Sequence, residues 1–147
     1  MNNPVEDELS IRQLVAAYAD AVNRRDQELW ASTWSEHGVW DLSVLSAEGK
    51  DKIVELWVGA MGGFAFVAQL VYQGTLEISG DSATGRWYLS EYLKNADGAG
   101  GRFTIGTYAD EYVKQGGKWL FSRRSYHVIY SEEGPEVTAG AVTPIPQ

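Results

Sequence analysis

Residues 83–93 read ATGRWYLSEYL. The two-residue alternation of a strand puts Ala83, Gly85, Trp87, Leu89, Glu91 and Leu93 on one face, and Thr84, Arg86, Tyr88, Ser90 and Tyr92 on the other. The first face is apolar apart from Glu91. A buried, unpaired carboxylate is costly, so such a group is normally paired, protonated or put to use. Two readings are open. In one, apolar neighbours raise the Glu91 pKa and suit it to moving a proton near neutral pH. In the other, it turns to water or pairs with Arg86 or Arg102.

Other chemistry-bearing residues have equally definite alternatives. Tyr18 lies on the apolar face of a helical pattern, where it either packs or donates a hydrogen bond to a substrate oxygen. Arg124 and Tyr126 alternate with Leu120, Ser122 and Val128. If that face looks inward, Arg124 holds a carboxylate or enolate; otherwise it pairs with Glu91, Asp110 or Glu111. His127 has the opposite parity and is expected outside, and His37 reads as structural. Two His far apart in sequence are a poor metal signature, so no metal is expected. DGAGG links two strands and is no phosphate loop, GxSxG is absent, and with no Cys there is no thiol catalysis. No cofactor is expected.

The elements that must position these groups follow from periodicity. Ile11, Leu14, Val15, Tyr18 and Val22 recur at helical spacing between Glu6 and about Asn23. Asp26 is a good N-cap for a second helix through Leu29, Trp30, Thr33 and Trp34. HGVWDLSV reads as a short strand, and GKDKIVELWVGAM as a third helix stopped by Gly62-Gly63. Four strand segments follow, FAFVAQLVYQGTLEIS, ATGRWYLSEYLKN, RFTIGTYADEYVK and KWLFSRRSYHVIYSE, separated by turns at SGDS, DGAGG and QGG. Helices first and long antiparallel strands afterwards is an α+β pattern, with early helices covering a curved sheet and a ligand cavity between the layers. Residues 1–5 and about 138–147 are expected to be loosely held ends of a single domain.

Composition bounds the function. The 147 residues are 44% hydrophobic and 22% charged, ordinary for one globular domain. The net charge of −8 argues against nucleic acid or an anionic membrane as partner. No apolar stretch is long enough to span a bilayer, and MNNPVEDELS lacks the pattern of a signal peptide, so a cytoplasmic protein is expected. Six Trp and eight Tyr exceed what a core of this size needs, so some, with Trp87 and Tyr108 among the candidates, should shape the cavity for a flat or polycyclic substrate.

The opening IRQLVAAYADAVNRRDQELWASTW, with SGDSATGRWYL, TYADEY and GGKWLFSRR further on, resembles the SnoaL-like branch of the nuclear transport factor 2-like superfamily over about Leu9 to Tyr130. The resemblance implies a cone of curved antiparallel sheet closed by three helices. The family includes dehydratases, polyketide cyclases, ketosteroid-type isomerases, epoxide hydrolases, dehydrochlorinases and members that only bind. Several of its lyases use an Asp/His dyad; the matching positions here are Asn23 and Gln69, amides that cannot act as general bases but can hold a carbonyl or hydroxyl. Tyr18 and Glu91 match the tyrosine and acidic residue of bile-acid-type dehydratases. Epoxide hydrolysis is disfavoured, because Leu89 stands where an Arg is usual. The resemblance therefore implies a cofactor-independent acid–base lyase of dehydratase type, or an isomerase, acting on a small hydrophobic cyclic molecule. The alternative is a non-catalytic binding module. Members commonly assemble as homo-oligomers, so a dimer is expected through the outer sheet face, where Phe121, His127 and Ile129 have the parity opposite to Arg124.

Overall fold

The computed structural model describes residues 3–146; Met1, Asn2 and Gln147 lie outside the described residues, and with them part of the expected loose ends. Helix α1 (Pro4–Arg24) starts earlier than its periodicity suggests. The Asn3 side chain accepts from the Val5 and Glu6 amides, and Pro4 occupies the first turn, so Pro4 and Val5 are helical. Asp7 fastens this end to the sheet. Its Oδ1 accepts from Lys114 Nζ and Trp119 Nε1, each at 2.9 Å. Helix α2 (Gln27–Ser32) is capped by Asp26, as its sequence predicts, but Trp34 opens strand β1 (Trp34–Asp41) rather than closing the helix. Strand β2 (Ser46–Glu48) and helix α3 (Lys50–Met61) follow, the helix ending at Gly62-Gly63 as expected.

The remaining strands are β3 (Phe64–Val71), β4 (Thr75–Ser79), β5 (Ser82–Asn95), β6 (Gly101–Gln115) and β7 (Lys118–Gly134). They form one seven-stranded unclosed sheet in the order β2-β1-β7-β6-β5-β3, with β4 also on β5. Every pairing is antiparallel except β1 with β7, which is parallel. The segment from Phe64 to Ser79, read as one strand, is two. β3 pairs the far half of β5 and β4 the near half, and the chain crosses between them at Gly74. A Cβ there would lie 2.4 Å from the Trp87 ring, so only glycine permits the crossing.

The helices pack on one face of the sheet around a single aromatic-rich core. Trp30 stacks on Trp57 with centroids 4.7 Å apart, and Tyr18, Trp34 and Phe121 meet around them. Phe121 is 0% exposed, not on the outer face as the alternation predicts. The register of β7 slips between its partners Glu111 and Tyr112, so Ser122 is bulged and Phe121 shares the inner side with Arg124. The tail after Gly134 has no regular structure, though Thr138 Oγ1 donates to the Leu93 carbonyl at 3.1 Å.

Candidate active site

Between the helices and the inner face of the sheet lies a cavity of about 590 Å³. The helices contribute Tyr18, Val22, Trp57 and Met61, and the sheet contributes Gln69, Glu91, Arg102, Thr104, Tyr108 and Tyr126. The volume falls in the range of sites for drug-sized ligands. Gly106 on β6 lets the Tyr126 ring pack directly over the strand, because a Cβ there would meet the ring at 2.5 Å.

Glu91 sits in the cavity wall, half-buried, its alternation with Trp87, Leu89 and Leu93 observed in the burial of β5. It makes no ion pair within 4.0 Å among the described residues; neither Arg86 nor Arg102 is its partner. Burial pushes its pKa up, against the nearby Tyr126 hydroxyl and Gln69 amide, which favour the ionised form, and against the charges of Arg102 and Arg124. Thr104, directly opposite Glu91 on β6, lies 3.4 Å from the Tyr126 hydroxyl.

On the helix side, Tyr18 is 1% exposed and faces Tyr108 edge-on. Gln69 Nε2 donates to the Tyr108 hydroxyl at 3.0 Å, and Gln69 Oε1 is buried without a partner. Burial pushes the Tyr18 phenol up to about 12 and the Tyr108 phenol well above its ordinary value. Both stay protonated near neutral pH, so they are hydrogen-bond donors rather than bases.

Three expected ligand contacts are placed elsewhere. Arg124 is 0% exposed and does not line the cavity. Its Nε and Nη2 donate to Asp110 Oδ1 and Oδ2 at 2.9 and 3.2 Å, and its guanidinium carbon sits 3.5 Å from the Tyr108 ring centroid and 4.3 Å from that of Tyr18. The role of anion contact is therefore withdrawn from Arg124. Its buried charge instead lies beneath the two phenols and favours any negative charge that develops at their hydroxyls. Asn23 is turned to the backbone: its Nδ2 donates to the Gln69 carbonyl at 3.0 Å and its Oδ1 accepts from the Gln69 amide at 2.6 Å. Trp87 is core, its Nε1 donating to the Tyr112 hydroxyl at 2.8 Å and its ring covered by Arg12.

His127, expected outside, lines the cavity with Val128 and Ser131. A second slip in β7, at Ile129 opposite the step from Ile105 to Gly106, brings Val128 and Ser131, of opposite parity, to the same space. His127 stays in register with Thr107, exposed and of outer parity as expected, and only borders the cavity. Arg102 and Thr104 were legible: they have the same parity on β6 as Tyr108 and alternate toward it. Trp40 and Trp57 are the tryptophans that line the cavity. Among the described residues no group of three or more His, Cys, Asp or Glu is placed to hold a metal ion, and no helix is long and apolar enough to cross a membrane.

Known proteins supply the family. The SnoaL-like domain profile matches residues 3–125. The chain belongs to the SnoaL-like family. No curated protein is significantly similar to it in sequence. Among solved structures, hexachlorocyclohexane dehydrochlorinase of Novosphingobium barchaimii superposes with a TM-score of 0.84 at 17% identity, covering 97% of both chains. A provisionally named scytalone dehydratase of Novosphingobium aromaticivorans gives 0.83 at 16% identity, covering 95% of this chain and 97% of that one. A cystatin-like-fold protein of unknown function from Nostoc punctiforme gives 0.74 at 21% identity, covering 94% and 98%. At these identities the likeness establishes the α+β fold of this SnoaL-like domain.

Proposed function

We propose that this SnoaL-like protein is an acid–base lyase that eliminates water, or another small leaving group, from a mostly apolar cyclic substrate held in the cavity. One observation carries the reading: Glu91, a carboxyl with no ion-pair partner among the described residues, stands in the cavity wall beside phenols that remain protonated. The names of the dehydrochlorinase and dehydratase that share the fold describe eliminations and support the same class.

Elimination removes a proton from one carbon and a leaving group from its neighbour. Ionised Glu91 takes the C–H proton, and the electron pair of that bond forms the new C=C while the C–O bond breaks. The proton now on Glu91 passes to the departing oxygen, which leaves as water. One carboxyl thus serves as base and then acid, and atoms and charge balance without a second titratable group. Tyr18 donates to the substrate oxygen on which negative charge develops, supported by Tyr108 and by the Arg124 cation behind both rings. Tyr126 and Gln69 orient the carboxyl. The same groups would serve an isomerase, in which Glu91 returns its proton to a different carbon.

Glu91→Gln keeps the size and removes the titratable group. Turnover of a cyclic β-hydroxy ketone panel should fall by roughly two to four orders of magnitude, while ligand affinity changes little. Normal turnover in this variant would overturn the mechanism. A wild-type protein that binds the panel tightly without converting any member would favour the binding-module alternative.

A further inference from the structure

We infer that the substrate of this cavity carries an anionic group, a carboxylate or its equivalent, and that Arg102 receives it. The inference rests on the cavity being the substrate site proposed above and adds a chemical class to its ligand.

Among the described residues, Arg102 is the one Lys or Arg side chain in the cavity wall. Alternation along β6 places Arg102, Thr104, Gly106 and Tyr108 on one face, at roughly 7 Å per step. The sheet registers fix what each step faces. Tyr108 pairs with Tyr126, Thr104 pairs with Glu91, and Arg102 pairs with Leu93 on one side and Glu133 on the other. A ligand lying along β6 therefore meets phenol donors at its deep end, the carboxyl of Glu91 part-way, and a guanidinium at the more exposed end.

Arg102 is unsatisfied where it stands. Its Nε is buried with no hydrogen-bond partner. Its ion pair with Glu133 runs through Nη1 at 3.6 Å, longer than a hydrogen bond, with the Arg102 and Glu133 side chains 43% and 69% exposed. Such a surface pair contributes little and holds the guanidinium loosely. A buried guanidinium N–H without an acceptor is costly, so the side chain gains by turning toward an acceptor, and its loosely held Nη groups present to an anionic ligand the paired N–H donors that suit carboxylate geometry. Arg124 shows the alternative use in the same molecule: its Nε and Nη2 are spent on Asp110, and its Nη1, also without an acceptor, is sealed in the core away from the cavity. Glu91 does not compete for Arg102, since the two form no ion pair. The net charge of −8 repels anions at long range, so a preference for an acid over its neutral analogue must come from a local contact.

The test is calorimetric titration of the wild-type chain and of Arg102→Gln with 2-naphthoate and with 2-naphthamide, two probes of one shape and different charge. Wild type should bind the acid more tightly than the amide, and Arg102→Gln should lose roughly 10–100-fold for the acid while holding its affinity for the amide, which doubles as a check on folding. Arg102→Lys should fall between, since it keeps the charge and loses the planar fork. Glu133→Gln should bind the acid at least as well as wild type. Equal loss for both probes, or no loss for the acid, would overturn the assignment while leaving the elimination reading standing. So would a Glu133→Gln variant that weakens acid binding as much as Arg102→Gln does. A cavity that takes up neither probe would overturn both readings together.

Discussion

Asp110 and Glu91 both face the inner side of the sheet, each with an arginine on an adjacent strand, and they have opposite fates. At the floor, Asp110 of β6 and Arg124 of β7 are direct register partners and form a bidentate pair; Tyr112 adds a donated hydrogen bond to Asp110 at 2.7 Å. Nearer the opening, Glu91 of β5 faces Thr104, and Arg102 is displaced by two residues to face Leu93. Burial raises the pKa of both acids. At the floor the guanidinium opposes that shift at hydrogen-bond distance, and the Asp110 charge in turn holds Arg124 protonated against its own desolvation. Among the described residues no cation comes within 4.0 Å of Glu91, so no ion pair opposes the effect of its burial. A two-residue offset in register separates a bonded ion pair from a carboxyl that has none among the described residues.

The sharpest way to break the comparison is to remove one partner at the floor. Asp110→Asn or Arg124→Gln leaves an uncompensated buried group, and unfolding by urea should report a loss of about 3–5 kcal/mol. The double variant Asp110→Leu with Arg124→Met should recover most of that loss, because no charge is left unpaired. A single variant within 1 kcal/mol of wild type, on the order expected for an exposed pair, would mean that the floor is not held by this pair.

The next effect concerns the joint between helix and sheet. Asn23 satisfies both backbone groups of Gln69, the residue whose side chain supports Tyr108. Asn23→Ala should cost about 1–3 kcal/mol, and hydrogen exchange at the Gln69 amide should speed up more than at its β5 neighbours. Unchanged exchange there would argue that water replaces the amide at no cost.

Much of this was readable from sequence, for physical reasons that can be named. Alternation along ATGRWYLSEYL is uninterrupted by bulges, so the burial of Trp87, Leu89 and Leu93 around Glu91 follows from period two alone. Along SRRSYHVIYS the same rule fails twice, because the slips at Ser122 and Ile129 bring Phe121 into the core and Ser131 to the cavity, while His127 keeps its outer parity. Bulges are set by how neighbouring strands must bend, information that no single segment contains. Arg124 illustrates the other limit. Its inward face was inferable, but whether it meets a ligand or Asp110 depends on a register between two strands. Asn23 and Gln69 were grouped as a polar pair, and they do meet, though through the backbone of Gln69 rather than as two side chains turned toward a ligand.

The smallest effect sharpens the comparison most, since it applies to Glu91 the same carboxylate-to-amide change that should unfold the floor. In Glu91 the folded-state pKa lies above the unfolded value. Between the two values the folded protein binds more protons than the unfolded chain, so stability declines as pH rises through that window and levels off once the folded state also ionises. Glu91→Gln cannot ionise, so its contribution to this slope disappears. The variant should be nearly as stable as wild type below the ordinary carboxylate range and more stable above the folded pKa, by less than about 1 kcal/mol for a group that opens to a wet cavity. Catalysis should move the other way over the same window. A base must be ionised to take a proton, so the acid limb of the kcat/KM profile should lie above the ordinary glutamate pKa. Parallel urea titrations of wild type and variant at four pH values, set beside the wild-type rate profile, measure both. If the variant loses stability at every pH, the carboxylate is held by a contact as firm as the one at Asp110, and the distinction between the two halves of the sheet fails.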